Sequence, residues 1–417
     1  MKSFLSTTKF LAVLTAGLLV VAVAFSGCDD SDDDDNNGGS ATETTITDGG
    51  VLTGDIAADV TVEADATVTL KGVVNVLDGA TLTIEEGVTL ECEVEPLSLL
   101  VIKQGGKIEA VGTADKPIVF TRNEESGSWG GIVVNGKAQT NKGLVENGEG
   151  NSGQYGAEDD SNNDDSSGTL KYVVIRFAGY NFTDEDQLNG LCLQGVGSGT
   201  TVEYVHIHRG QDDGVEMFGG TVNLKYIVAT GNEDDQIDAT DGWQGTIEYA
   251  VAVAMNEDGN DKCIEHDSNK ADNYATPVTE ITYKHFTAIG SVPDTGLARI
   301  RRGTQVTFED AYFCANGDAD GSKIIDLHDE ASTADLLDNV VFQGAVDGGL
   351  YAEAGATAAD NISGSWSEAS DIADPSKFAT YDELVKVTAD DFVTSVGAVT
   401  DADNNWMEGW VTFPNDK

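Results

Sequence analysis

Adjacent carboxylates recur at a regular interval in the middle of this chain. Tyr204-Val205-His206-Ile207-His208-Arg209-Gly210-Gln211-Asp212-Asp213-Gly214-Val215-Glu216 is echoed 22 residues later, from Tyr226 to Asn232-Glu233-Asp234-Asp235-Gln236-Ile237-Asp238. Looser copies end in Asp261-Lys262-Cys263-Ile264-Glu265, Leu297-Ala298-Arg299-Ile300 and Ile325-Asp326-Leu327. Aligned on their apolar neighbours, Glu216, Asp238, Glu265 and Asp326 fall in one column, which Ala298 interrupts. Asp213, Asp235 and Asp261 form a second. Carboxylates stacked ~4.8 Å apart repel and drive pKa values upward. Either a cation neutralises them or water screens them at exposed turns. Oxygen-only donors suit Ca²⁺, so calcium is the expected cofactor, with Asp213, Asp235, Asp261, Glu216, Asp238 and Glu265 as its ligands. Catalysis is the competing chemistry. Asp212, Asp213 and Asp235 are candidate acids and bases, since an inverting pair stands ~6.5–9.5 Å apart, and Arg299 and Arg301 could meet a substrate carboxylate. The recurrence argues for a ladder, because an active site normally occurs once. Trp243, in Asp241-Gly242-Trp243-Gln244-Gly245, is the candidate exposed platform for a sugar ring.

The elements that position these residues are short. Runs such as Ala80-Thr81-Leu82-Thr83-Ile84 and Pro117-Ile118-Val119-Phe120 alternate or are briefly apolar, and each ends at a glycine or an acidic turn. With 48 glycines and 6 prolines, the chain favours strands and tight turns. A period of roughly 22–27 residues belongs to solenoids, in which no coil buries its apolar side alone. The fold expected is all-β, a right-handed parallel β-helix over 46–332. Polar residues 137–169 break the rhythm as a surface loop, and 333–417 supply the last coils and a C-terminal cap. His206 and His208 lie in a strand as wall residues.

The chain carries 23 basic against 73 acidic residues, a net charge of −50. Nucleic acid and anionic membrane surfaces are therefore poor partners, and cations good ones. Cys92, Cys192, Cys263 and Cys314 form no Cys/His cluster, which argues against zinc; any disulfide pairing stays open. Lys2 and Lys9 precede the uncharged apolar run Phe10–Phe25, shorter than the ~20 residues of a spanning helix. Ser26-Gly27-Cys28 follows, then a run of aspartates from Asp29 to Asp35 that cannot pack into a core.

The junction at Cys28 resembles the lipobox of bacterial lipoproteins. It implies a signal peptide over 1–27, a lipidated Cys28 and an acidic tether over 28–45. An acidic run at that place is similar to the surface-export signal of Bacteroidota lipoproteins, which implies the outer membrane and the cell surface. An Asp directly after the cysteine also marks inner-membrane retention in enteric bacteria. Gly79-Ala80-Thr81-Leu82-Thr83-Ile84-Glu85-Glu86-Gly87, Lys116-Pro117-Ile118-Val119-Phe120-Thr121, Ser128-Trp129-Gly130-Gly131-Ile132-Val133-Val134-Asn135-Gly136 and Gln194-Gly195-Val196-Gly197-Ser198-Gly199-Thr200-Thr201 resemble a family of envelope β-helix lipoproteins, as does Trp406-Met407-Glu408-Gly409-Trp410. That family implies little chemistry. Gly210-Gln211-Asp212-Asp213-Gly214 is similar to polygalacturonase-like glycosidases but lacks their Gly-His-Gly motif. Arg299-Ile300-Arg301-Arg302 resembles the arginine of a pectate-lyase-like site beside calcium. The function expected is non-catalytic binding or adhesion at the envelope, with polysaccharide and cations as ligands. A polysaccharide lyase or glycoside hydrolase, and a structural surface-layer component, are the alternatives.

Overall fold

In Thr81–Ile84, Leu82 and Ile84 are buried and the two threonines are not, so the run forms a strand with one face inward. A computed structural model describes residues 44–413 except 125, 184–185, 256–260, 291–295, 316–323, 329–338, 348–350, 354–361 and 369–373. Apart from one short antiparallel pair, Tyr180–Thr183 with Asp186–Leu188, each run of the coils pairs in parallel with the run one coil on, and three sheets result. Columns of identical orientation fill the interior. In the first sheet the inward column is Val62, Ile84, Ala110, Leu170, Val202, Leu224, Ile247, Tyr283 and Phe308. In the second it is Phe120, Ile175, Ile207, Ala229, Ala252, Ala288 and Phe313. In the third it is Leu100, Ile132, Leu191, Val215, Ile237, Ile264, Ala298 and Ile325. All are buried in one continuous core. The fold is the expected all-β parallel β-helix.

The corner between the first and second sheets carries two further columns. Lys171, Glu203, Lys225, Glu248, Lys284 and Glu309 alternate in sign up the outer face. Lys171–Glu203 and Lys225–Glu248 pair at 2.9 Å. The next residue of each strand, Tyr172, Tyr204, Tyr226, Tyr249 and His285, turns the chain through φ of 52–59°. That left-handed conformation costs about 1–2 kcal/mol per residue. Ring stacking offsets it: successive centroids lie 4.2, 4.2, 5.0 and 4.5 Å apart.

Two segments cover the outer faces. Strand runs such as Ala250–Ala254 are apolar without alternation, the pattern of a sheet buried on both sides. The outward residues Val174, Val228, Val251, Val253, Ile289 and Tyr312 meet Phe378, Tyr381, Leu384, Phe392, Met407 and Trp410 from the C-terminal segment. The expected cap is thus corrected in part. Residues 339–368 continue the coils with strands Asn339–Asp347, Tyr351–Glu353 and Ile362–Glu368. Residues 374–413 lie along the flank of the second sheet, because its outward apolar column has no other cover. The segment 137–167 lies on the third sheet, where Tyr155 packs on Leu99, Val101, Val133, Cys192 and Phe218.

His206 and His208 are buried beneath the C-terminal segment, and both rings reach the hydroxyl of Thr230, at 3.2 and 2.8 Å. Burial, then the charges of Arg176 and Arg209, push His208 down to about 3, so it is a neutral wall residue. Trp410 is 1 % exposed and its indole N–H donates to the Trp406 carbonyl at 2.8 Å. Trp410→Ala should lower stability by about 3–5 kcal/mol, whereas Tyr274→Ala, at a 57 % exposed position, should stay within about 0.5 kcal/mol. Thermal unfolding of the two variants checks this; equal melting temperatures would remove the packing role assigned to the flank segment.

Candidate metal centre

The third sheet carries the carboxylates on its outer face. Its strands Leu191–Val196, Val215–Gly220, Ile237–Thr240, Ile264–His266, Ala298–Arg301 and Ile325–His328 stack in that order. Since Val215, Ile237 and Ile264 point inward, the residue after each points outward. Register therefore gives the outer column Cys192, Glu216, Asp238, Glu265, Arg299 and Asp326. The expected carboxylate column is present, with one correction. Arg299, not Ala298, occupies the step between Glu265 and Asp326; Ala298 pairs with Ile264 and faces the core.

The turn before these strands builds a second ladder. Asn189 Oδ1 accepts the N–H of Asp213 at 3.3 Å, Asp213 Oδ1 that of Asp235 at 2.9 Å, and Asp235 Oδ1 that of Lys262 at 2.9 Å. Each side chain thus satisfies a backbone donor of the next coil, a direct reason for Asn or Asp at that position. Here the expected column Asp213, Asp235, Asp261 is corrected too. Lys262 follows Asp235, while Asp261 donates its N–H to the Asp234 carbonyl at 3.2 Å and belongs with Asp234 on the rim.

Together the ladders line a groove of about 400 Å³. Asp212, Asp213, Glu216, Asp234, Asp235, Asp238, Asp261, Glu265, Arg299 and Arg301 all face it. Two further contributors lay outside the repeat and were missed from sequence. Glu149 arrives from the covering segment. Gln187 donates from Nε2 to Asp212 Oδ1 at 3.1 Å.

Charge divides the groove. At one end Lys262, only 1 % exposed as a side chain, contacts Asp261, lies 2.9 Å from Glu265 and 3.6 Å from Asp235. Arg301 pairs with Glu265 and, at 3.3 Å, with Asp267. Arg299 reaches Asp326 at 3.3 Å and Glu265 at 3.8 Å. At the other end Asp212, Asp213 and Glu216 have no basic residue in ion-pair range among the described residues; their partners are Gln187, the Asp235 amide and Asn189. The titration behaviour follows. Burial, then Asp234 and Glu149, push Asp212 up to about 7. Burial and then Glu216 drive Asp213 well above its usual range; burial and then Asp238 do the same to Glu216. Asp238 is raised by burial and then by Glu265. Glu265 moves the other way: burial acts upward, and Lys262 and Arg301 more than offset it.

Three sets of carboxylate oxygens converge within 4.8 Å: Asp212, Asp213 and Asp234; Asp213, Glu216 and Asp238; Asp234, Asp235 and Asp261. Asp213 and Asp234 are each shared by two sets, so the sets form one chain of oxygen donors along the groove. Of the expected ligands, Glu265 alone is in no set, being saturated by Lys262 and Arg301.

Trp243 is corrected outright. It is fully buried and its indole N–H donates to the Val222 carbonyl at 3.2 Å, so it packs the turn and offers no face to a ligand. Cys92, Cys192 and Cys263 are free thiols, and all four non-terminal cysteines are buried. Cys28 lies outside the described residues.

A parallel β-helix with an acidic groove on one sheet defines a class. Residues 54–411 match the pectate-lyase-like β-helix domain family, and the chain belongs to it. No curated protein and no solved structure matches.

The raised carboxyls carry a linkage consequence. A carboxyl whose folded pKa is raised stabilises the fold below its unfolded pKa of about 4, and that contribution is lost as pH rises through the folded value. For Asp212 the window closes near about 7. The three buried histidines oppose this, their lowered values favouring the fold above about 6.5. Comparison with a variant isolates the groove. In metal-free protein, Asp213→Asn should be more stable than the parent at about pH 8, and its advantage should shrink toward pH 4. A variant that melts below the parent at every pH would refute the repulsion assigned to Asp213.

Proposed function

We propose that the groove binds calcium and, through it, anionic polysaccharide, on a protein lipid-anchored at the cell envelope. The observation that carries this is the convergence of two linked carboxylate sets, Asp212, Asp213 and Asp234 with Asp213, Glu216 and Asp238, each within 4.8 Å, on acids with which Lys262, Arg299 and Arg301 make no ion pair. The third set is the one that Lys262 enters through Asp235 and Asp261. Calcium takes 6–8 oxygens. Three carboxylates leave positions that water and ligand oxygens fill, so a bound cation would present a positive centre to an anionic chain in a groove that otherwise repels it. A proton is the alternative occupant, which the raised pKa values describe, and calcium would displace it.

A β-eliminating lyase is the alternative function, favoured by Arg299 and Arg301 lining the same groove. An arginine base must give up its proton. Burial works in that direction on Arg301, but Glu265 and Asp267 outweigh it and hold the guanidinium protonated. Binding without turnover is therefore the better fit, and an unsaturated uronate product from polygalacturonate or alginate would overturn it.

Anchoring rests on the sequence around Cys28. Among the described residues no helix is long and apolar enough to cross a membrane. Cys28→Ala should block processing and release the protein from membranes into the aqueous phase of a detergent partition; a variant that partitions like the parent would end the anchoring proposal.

Binding to the folded chain alone stabilises it by RT ln(1 + [L]/Kd), about 2.7 kcal/mol at a hundredfold excess of calcium over Kd. The melting temperature should rise with millimolar calcium and fall with a chelator, with magnesium less effective because it gives up water reluctantly. Glu216→Gln and Asp213→Asn should abolish the response, while neutralising Asp32 to Asp35 in the tether should leave it intact. Equal melting curves with calcium and with chelator, at matched ionic strength, would refute the site.

A further inference from the structure

At the mouth of the groove the chain leaves the coil in a short hairpin, Tyr180–Thr183 against Asp186–Leu188, the one antiparallel sheet among the described residues. Its base is fixed to the groove. Gly179, at φ 98°, lies so close to the rim that a Cβ there would stand 2.9 Å from the Gln211 nitrogen and 3.1 Å from that of Asp212. Gln187 bonds Asp212 through its amide, and its own N–H donates to Glu149 at 3.3 Å. Leu188 is buried. The hairpin is thus tied to both a carboxylate of the groove and the segment that walls it.

On the first strand of the hairpin, whose pairing shifts register between Asn181 and Thr183, the rings of Tyr180 and Phe182 meet. They are 37 % and 46 % exposed, with centroids 4.9 Å apart and planes at 63°. Edge-to-face packing leaves ring faces uncovered. The other exposed large apolar side chains among the described residues, Val51, Val73, Val111, Leu144 and Tyr274, form no such ring pair. An isolated two-ring patch is too small for a stable protein interface, which buries upward of about 1,000 Å². A membrane surface is opposed by the chain's net charge of −50. A pyranose ring fits both halves of the surroundings: its C–H face lies on an aromatic ring, and its hydroxyls meet polar neighbours.

We propose that Tyr180 and Phe182 form a sugar-stacking subsite that extends the groove, holding one pyranose residue of a polysaccharide whose neighbouring residues reach the carboxylates around Asp212. This rests on the groove being the polysaccharide site, and it adds the element that grips the chain independently of charge. Trp243, the residue that sequence alone nominates for stacking, is replaced in that role by a pair of smaller rings outside the repeat.

The test uses the full chain, titrated calorimetrically with calcium alone and with polygalacturonate or alginate in the presence of calcium. Tyr180→Ala/Phe182→Ala should weaken polymer binding by ~tenfold or more, leave the calcium titration at the parent value and leave the melting temperature unchanged. Phe182→Trp should restore or exceed parental affinity, which loss of folding would not allow. A double variant that binds polymer within ~twofold of the parent overturns the subsite, as does a parent that binds neither polymer. A change of oligomeric state in the double variant would make the hairpin a self-contact and likewise overturn it. Polymer binding that depends on both rings but not on calcium would keep the subsite while removing the cation reading of the groove.

Discussion

Parallel coils at a spacing of about 4.8 Å place every side chain directly on its counterpart one coil earlier. For an apolar residue this register costs nothing: Val62, Ile84, Ala110 and Leu170 simply extend the core. For an aromatic residue it offers a stack, and the gain is large enough to hold Tyr172, Tyr204, Tyr226 and Tyr249 at positive φ. For a charged residue the outcome depends wholly on the sign of its neighbour. On one corner the signs alternate and ion pairs form. On the third sheet three acids, Glu216, Asp238 and Glu265, succeed one another before Arg299 intervenes.

That run of like charge is where the local rules of the fold are broken. In the same outer column Val101, Val133 and Cys192 come just before these acids, and Tyr155 and the covering segment shield them from water. Cover gives way to carboxylates at Glu216, so the groove starts where the shield ends. Lys262 shows what a structural solution looks like: one buried ammonium satisfies Asp261, Glu265 and Asp235, and Glu265 is accordingly acidic. Asp212, Asp213 and Glu216, two coils before Lys262, lack that solution. The contrast between a coil that places a lysine among its acids and an earlier one that does not is what the binding proposal rests on, since violations of local consistency concentrate at functional positions.

Much of this was legible in the sequence because the echo between Tyr204–Glu216 and Tyr226–Asp238 is exact in length, and register follows length. It blurred where the spacing changed. Between Ile264 and Ala298 the interval grows, and the apolar pattern alone leaves Ala298 and Arg299 equally eligible for the outer column. At Asp261-Lys262 both residues are polar, so nothing in the pattern told that the lysine, not the aspartate, takes the ladder position. Glu149, Gln187, Tyr180 and Phe182 come from excursions without a repeat, and no periodicity could align them. Trp243 misled because a tryptophan between glycines in a turn looks exposed, whereas the glycines are what let its ring lie inward, with Gly245 packed against it. The flank segment was recognised as covering something; that it covers a side and not an end depended on the outward Val228, Val251 and Val253, visible as unbroken apolar runs.

The alternating column Lys171, Glu203, Lys225, Glu248, Lys284 and Glu309 also bears on how such a solenoid changes length over generations. Excising or duplicating a single coil would bring like beside like at the seam: without Lys225, Glu203 would face Glu248. Excising or duplicating two restores the order. The ladder therefore makes a change of two coils cheaper than a change of one along this stretch, by the ~0–1 kcal/mol that each such surface pair carries.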